Sequence, residues 1–188
     1  MLEWVVSGCA SGLGKAIKDE FEAVAIDRDL LQHNRHSFDS CEVLIHCAFE
    51  RYVASASASE YIDRSVELAE KILEIEADRY VFISSIECDA EQINTPYARA
   101  KLEVEALFSS KNNHLNLRLP SLYGKGMIRN QVLAIATEFK PALSLREDST
   151  FSLVAYRDVI ELLKLFGKSG TLSLVSDMVT LSDIASRF

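Results

Sequence analysis

Val5-Val6-Ser7-Gly8-Cys9-Ala10-Ser11-Gly12-Leu13-Gly14-Lys15 lies near the start of this 188-residue chain and decides how the rest is read. An apolar run, Trp4 to Val6, passes straight into three glycines, and a helical pattern of Leu13, Ile17 and Phe21 follows. Glycines let a backbone turn tightly and approach a pyrophosphate, and the start of the next helix offers N–H donors and the positive end of its dipole. The spacing is G-x-x-x-G-x-G, not the G-x-G-x-x-G dinucleotide fingerprint. A plain glycine turn between a strand and a helix therefore stays open beside the phosphate reading.

A second apolar run, Ala23-Val24-Ala25-Ile26, ends on Asp27, thirteen residues after Gly14. A carboxylate there suits the two hydroxyls of a ribose better than a 2′-phosphate, which favours NAD; Arg28 beside it leaves NADP open. Far along the chain, Tyr97-Ala-Arg-Ala-Lys101 begins twelve residues after Ser85, where a third apolar run ends. Four residues make about one helical turn, so Tyr97 and Lys101 share a face. An ammonium near a phenol favours the phenolate, which would make Tyr97 a proton donor or acceptor near neutral pH. Ser85 would then hold the oxygen that Tyr97 protonates. An ordinary helix face is the bland reading of the same spacing.

Between these motifs apolar runs and helical patterns alternate. Strand-like runs fall at 2–6, 23–26, 43–47, 80–84, 115–119 and 171–175, with helical patterns at 13–21, about 60–76, 96–109, 128–138 and 157–166. That alternation predicts an α/β fold with a parallel sheet and helices on both faces. One domain spanning 1–188 is expected at this length, long enough to bury about 70% of the unfolded surface without a staple. Ala54–Ser59 reads as a mobile loop leading into a long helix, with Ser59 as its cap. Thr180 and Asp183 form a capping-box variant.

The ordered set of motifs resembles the short-chain dehydrogenase/reductase superfamily, in its extended branch of nucleotide-sugar epimerases, dehydratases and reductases. The likeness covers nearly the whole length. Ser7-Gly8-x-x-x-Gly12-x-Gly14 resembles the cofactor loop, and Val43-Leu44-Ile45-His46-Cys47-Ala48 the strand that runs along the cofactor. Tyr80-Val81-Phe82-Ile83-Ser84-Ser85 resembles the strand carrying the active-site hydroxyl, and Pro96-Tyr97-Ala98-Arg99-Ala100-Lys101 the P-Y-x-x-x-K box. Leu117 to Gly126 resembles the L-R-x-x-x-x-Y-G-x-G segment, Val154 to Val159 the V-x-V-x-D-V stretch, and Thr180 to Ala185 the start of the last helix. The resemblance implies a Rossmann-type doubly wound sheet, with residues 120–188 supplying a reduced substrate-binding lobe. It implies Ser85, Tyr97 and Lys101 as catalytic residues. The cofactor residues it implies are Gly8, Ser11, Gly12, Leu13, Gly14, Asp27, Arg28, Cys47, Ala48, Ser84, Tyr97, Lys101 and Pro120. NAD(P)-dependent hydride transfer at a secondary alcohol or ketone of a nucleotide-linked sugar is the implied activity. It also implies a homodimer through helices 60–76 and 96–109.

The sequence departs from that pattern in ways that bear on function. Only fourteen residues separate Asp27 from Glu42, too few for the usual helix, strand and second helix. The stretch from Ser85 to Tyr97 is short by roughly half, which opens the expected pocket and favours a keto-reductase over an epimerase. The family's Asn before the fifth strand is replaced by the neighbourhood of Tyr61 and Asp63. Phe151 stands where many nucleotide-sugar enzymes carry a diphosphate-binding Arg; Arg118, Arg129 or Arg146 are the substitutes at hand. A non-catalytic dinucleotide-binding sensor or assembly protein on the same fold remains the alternative.

Composition narrows the remaining classes. A formal charge of −8 argues against nucleic acid or an anionic membrane as the main partner. The four cysteines form no C-x-x-C pair and predict a reducing, cytoplasmic setting. No apolar run approaches the ~20 residues of a membrane helix. His33, His36 and His114 lack carboxylates at metal-like spacing, so no zinc site is expected. His46 reads first as a packed or hydrogen-bonded core histidine. Glu67, Glu70, Glu74 and Glu76 read as a solvated helix face, and Asp39 as a candidate adenine contact. Arg118, mid-strand among leucines, must find a partner, because an unpaired buried guanidinium is costly.

Overall fold

The computed structural model describes residues 2–27, 30, 40–50, 57–127, 146–165, 167–176 and 178–186. Arg28, His33, His36, Asp39, Arg129, the 128–138 helix and residues 54–56 of the small-residue loop lie outside them.

The apolar runs form strands because they are buried on both sides. β1 (Leu2–Ser7), β2 (Val24–Ile26), β3 (Ser40–His46), β4 (Glu76–Ser85), β5 (His114–Leu119) and β8 (Gly170–Ser173) make one six-stranded sheet among the described residues, in the order β2-β1-β3-β4-β5-β8. Every pairing in it is parallel. Alternate side chains serve opposite layers: Val6, Ile45, Val81 and Leu117 pack on one side, while Val5, Leu44 and Phe82 pack on the other. The first side is covered by α1 (Gly12–Glu20) and α4 (Tyr156–Leu165), which contribute Leu13, Ile17, Val159 and Leu163. The second is covered by α2 (Ala58–Ile72) and α3 (Pro96–Ser109), which contribute Ala69, Ile72, Val104 and Phe108. This is the doubly wound Rossmann-type α/β fold.

β2 and β3 flank β1 on opposite sides, so the order reverses between β1 and β3. That reversal opens a crevice at the carboxyl ends of the strands, where ligands of such sheets bind. β2 is an edge strand among the described residues, consistent with the short Asp27–Glu42 segment.

Three short strands stand outside the sequence reading. β6 (Ser121–Tyr123), β7 (Thr150–Ala155) and β9 (Met178–Thr180) form a second sheet in the order β6-β7-β9, followed by α5 (Leu181–Ala185). α5 is closed by the Thr180–Asp183 capping box. Two boundaries differ from expectation. The cap of α2 is Ser57, whose side chain accepts from Glu60 N, while Ser59 donates to Asp63 instead. The same helix ends at Ile72, not 76, because β4 already begins at Glu76. Glu67 and Glu70 lie on its solvated face. No helix of the described residues is long and apolar enough to cross a membrane.

Candidate active site

The glycine loop is packed so tightly that only glycine fits. Gly8 has φ +76°, and a Cβ there would meet Ala48 N at 2.5 Å. A Cβ on Gly14 would meet Gly8 O at 2.3 Å and Cys47 Cβ at 3.2 Å. The loop therefore rests directly on the end of β3, with no side chain between. Ser7 stitches the two strands together: its Oγ lies 2.8 Å from His46 Nδ1 and accepts from Ala48 N at 3.3 Å. His46 is 0% exposed, stacked on Phe82 and Phe108. Burial holds its pKa down at about 3, so it is neutral and structural.

α1 starts on this loop with Ser11 as N-cap, no side-chain cap bond and no acid in its first turn. Gly12 N donates to Gly126 O at 3.3 Å, and the other first-turn N–H groups and the dipole are left for an anion. Asp27 sits exposed just beyond β2, its Oδ1 accepting from Leu30 N at 2.8 Å.

Gly8, Ser11, Gly12, Leu13, Gly14, Asp27, Cys47, Ala48, Ser84, Ser85, Tyr97, Lys101 and Pro120 all line one cleft of about 1090 Å³. Of the catalytic and cofactor residues expected from the resemblance, Arg28 alone lies outside the described residues. The cleft is larger than the ~300–1,000 Å³ common for small-ligand sites.

Ser85 ends β4 and caps the 3-10 turn Ile86–Asp89 through Glu87 N. Thr95 caps α3 by accepting from Ala98 N, and Pro96 occupies its first turn. These two caps bring Ser85 and Tyr97 to the same cleft, where the Ser85 hydroxyl acts on the Tyr97 phenol. Lys101, one turn on, is 4% exposed, and its Nζ donates to Ile83 O at 2.7 Å.

Burial, joined by Glu87, pushes the Tyr97 phenol up to about 12, and the Ser85 hydroxyl only partly opposes it. Burial likewise pushes Lys101 down to about 7. The acidifying effect of Lys101 on Tyr97 expected from the spacing is therefore not what this structure holds. The amine turns to a carbonyl, its Nζ 5.6 Å from the Tyr97 ring centroid, and desolvation outweighs it. Ser84 is tied to the helix behind it: its Oγ donates to Glu105 and lies near Cys88.

Arg118 finds the partner that its position demanded. It grips Glu105 with Nε at 2.9 Å and Nη2 at 2.6 Å, and Asp89 with Nη1 at 2.6 Å. It therefore does not replace the missing diphosphate Arg, and Arg146 is exposed and paired with Asp148. Phe151 itself lines the cleft with Phe49, Glu87, Ser121, Leu122, Tyr156 and Met178. The sequence reading assigned none of these six to the site. Ser121 and Leu122 lie inside the Leu117–Gly126 segment and Tyr156 inside the V-x-V-x-D-V stretch, while the other three come from segments without period or motif. Among the described residues no group of His, Cys, Asp and Glu side chains suits a metal.

No protein-family model matches the chain, and comparison with curated proteins finds no match. Solved structures do match. TunA, an NAD-dependent NDP-hexosamine 5,6-dehydratase of tunicamycin biosynthesis, has a TM-score of 0.79 at 13% identity, covering 97% of this chain and 78% of its own. UDP-N-acetylglucosamine 4-epimerase from Bacillus cereus has a TM-score of 0.72 at 19% identity, over 98% and 80%. The Bordetella bronchiseptica enzyme WbmG, in complex with NAD and UDP, has a TM-score of 0.78 at 13% identity, over 98% and 76%. At such identities the likeness is one of fold, and this chain has the Rossmann-type fold that these three proteins share.

Proposed function

We propose that this protein is an NAD-dependent oxidoreductase of the extended short-chain dehydrogenase/reductase type, acting at a secondary alcohol or ketone of a nucleotide-linked sugar. One observation carries the reading: a single cleft joins the side-chain-free cradle at Gly8 and Gly14 to Ser85, Tyr97 and Lys101. The absence of room for any Cβ in that cradle is what close backbone approach to a pyrophosphate requires.

In this reading Gly12, Leu13 and Gly14 hold the phosphates at the start of α1, and Asp27 accepts from the adenosine ribose hydroxyls. Cys47, Ala48 and Pro120 wall the nicotinamide half. When bound, NAD supplies hydride acceptance and donation at nicotinamide carbon 4. Ser85 orients the substrate oxygen. The Tyr97 hydroxyl passes the proton to or from that oxygen. Lys101 leaves Ile83 O to hold the ribose, and as a cation it then lowers the phenol pKa from its high resting value. Proton transfer of this kind contributes roughly 10²–10⁴-fold in rate. Residues 120–188 supply the substrate side, through Ser121, Leu122, Phe151 and Tyr156.

Turnover tested across UDP- and TDP-sugars with NAD or NADH is expected to vanish in Tyr97→Phe, while the Kd for NAD stays unchanged. A parent protein inactive on that panel, yet binding NAD, would instead support a second reading, a dinucleotide-binding sensor. The high resting pKa of Tyr97 and the phenylalanine at 151 favour that alternative.

A further inference from the structure

The Lys101 side chain borders the cleft with aromatic faces packed around its ammonium. Its Nζ lies 3.9 Å from the Phe49 ring centroid, 4.7 Å from that of Phe82 and 5.6 Å from that of Tyr97. One N–H is committed to Ile83 O. Phe82 is fully buried, whereas Phe49 is half-buried and lines the cleft beside Lys101, so of these two rings Phe49 is the one a ligand in the cleft can reach. The ring is held there by edge-to-face packing on Tyr97 at 5.7 Å and on Tyr61 at 6.1 Å. A cation over an aromatic face is attracted by the ring quadrupole, most strongly where water is excluded.

We infer that Phe49 is a positioning residue for Lys101, holding its ammonium in an aromatic enclosure that a ribose hydroxyl must open before the amine can donate to it. The inference rests on the proposed function for the identity of the incoming ligand. It makes dinucleotide binding compete with the Phe49–Lys101 contact, so affinity is traded for a resting state in which the amine is shielded.

The test uses the full chain with two substitutions. Phe49→Ala removes the ring. Phe49→Leu keeps apolar bulk without a π face, and guards against an alanine variant that fails to fold. Calorimetric titration with NAD is expected to show Kd falling roughly five- to thirtyfold in both. Independently, acetylation by an N-hydroxysuccinimide ester, followed by peptide mass spectrometry, is expected to label Lys101 faster in both variants, relative to exposed Lys15 in the same sample. Wild-type protein that binds NAD, with variants that bind it equally or more weakly, overturns the inference and leaves the proposed function standing; weaker binding would make Phe49 a platform for the cofactor. Wild-type protein that does not bind NAD defeats the proposed function instead. The labelling arm then decides alone, and unchanged Lys101 acetylation overturns the shielding role.

Discussion

Lys101 has one carbonyl and three ring faces in place of water, and burial takes its pKa from 10.5 to about 7. The unfolded chain therefore binds a proton that the folded chain releases across roughly pH 7 to 10.5. Stability contributed by this group is present above the unfolded value and is lost as pH falls through the folded one. His46 behaves likewise in a lower window, from 6.5 down to about 3, because its ring is buried against Phe82 and Phe108. Each group adds at most about 1.4 kcal/mol of stability per pH unit within its window. Urea unfolding at a series of pH values is expected to show stability rising with pH in both ranges. Lys101→Met should flatten the difference above pH 7, and His46→Gln the one below pH 6.5. A wild-type minus Lys101→Met difference that does not change between pH 7 and 10 would mean the amine is better solvated than the three rings allow.

At the scale of elements, the site is assembled by a clamp. Arg118 on β5 holds Glu105 on α3 and Asp89 on the 3-10 turn, and Glu105 also accepts from Ser84 on β4. The turn follows Ser85 and the helix carries Tyr97, so one guanidinium ties together the two elements that bring these hydroxyls to the cleft. Removing one partner of a buried ion pair leaves the other charge unpaired, at a cost of about 3–5 kcal/mol. Arg118→Ala is expected to lose stability in that range by urea unfolding. The Arg118→Ala/Glu105→Ala double variant should lose less than the sum of the single changes. Additive losses would show that the pair is not coupled. The need for a partner was legible in the sequence, since a cation lay amid leucines. Its identity was not, because Glu105 reads as one more helix acid, and only the strand register, Ser84 opposite Arg118, brings them together. Ser57 is a different case. Ser57-x-x-Glu60 is a capping-box spacing, but the alternating serines offered several caps, and Ser59 was the wrong choice. β6 and β9 are three residues each, too short for any period to register.

For the whole molecule, the alternation of elements was enough to give the sheet and its two helical layers, because strands buried on both faces read as continuous apolar runs. The cleft's substrate side was less legible, being built by short strands and loops that meet only in the fold. Under the proposed function, what the crevice at the β1/β3 reversal selects follows from charge at its Asp27 end. Asp27 is exposed at the tip of β2, so a 2′-phosphate there would face a carboxylate at close range, whereas ribose hydroxyls would donate to it. A ligand at a hundred times its Kd stabilises the folded state by about 2.7 kcal/mol, which for a domain of this size raises Tm by roughly 5–10 °C. Thermal unfolding is expected to show a rise of that order with NAD and a clearly smaller one with NADP at equal concentration. Asp27→Asn should narrow the gap between them by relieving the repulsion. Gly14→Ala should abolish both shifts, because its Cβ would sit 2.3 Å from Gly8 O and force the cradle apart. Equal rises with the two dinucleotides would remove Asp27 from the ribose, and a Gly14→Ala protein that kept its shift would move the phosphates away from the start of α1.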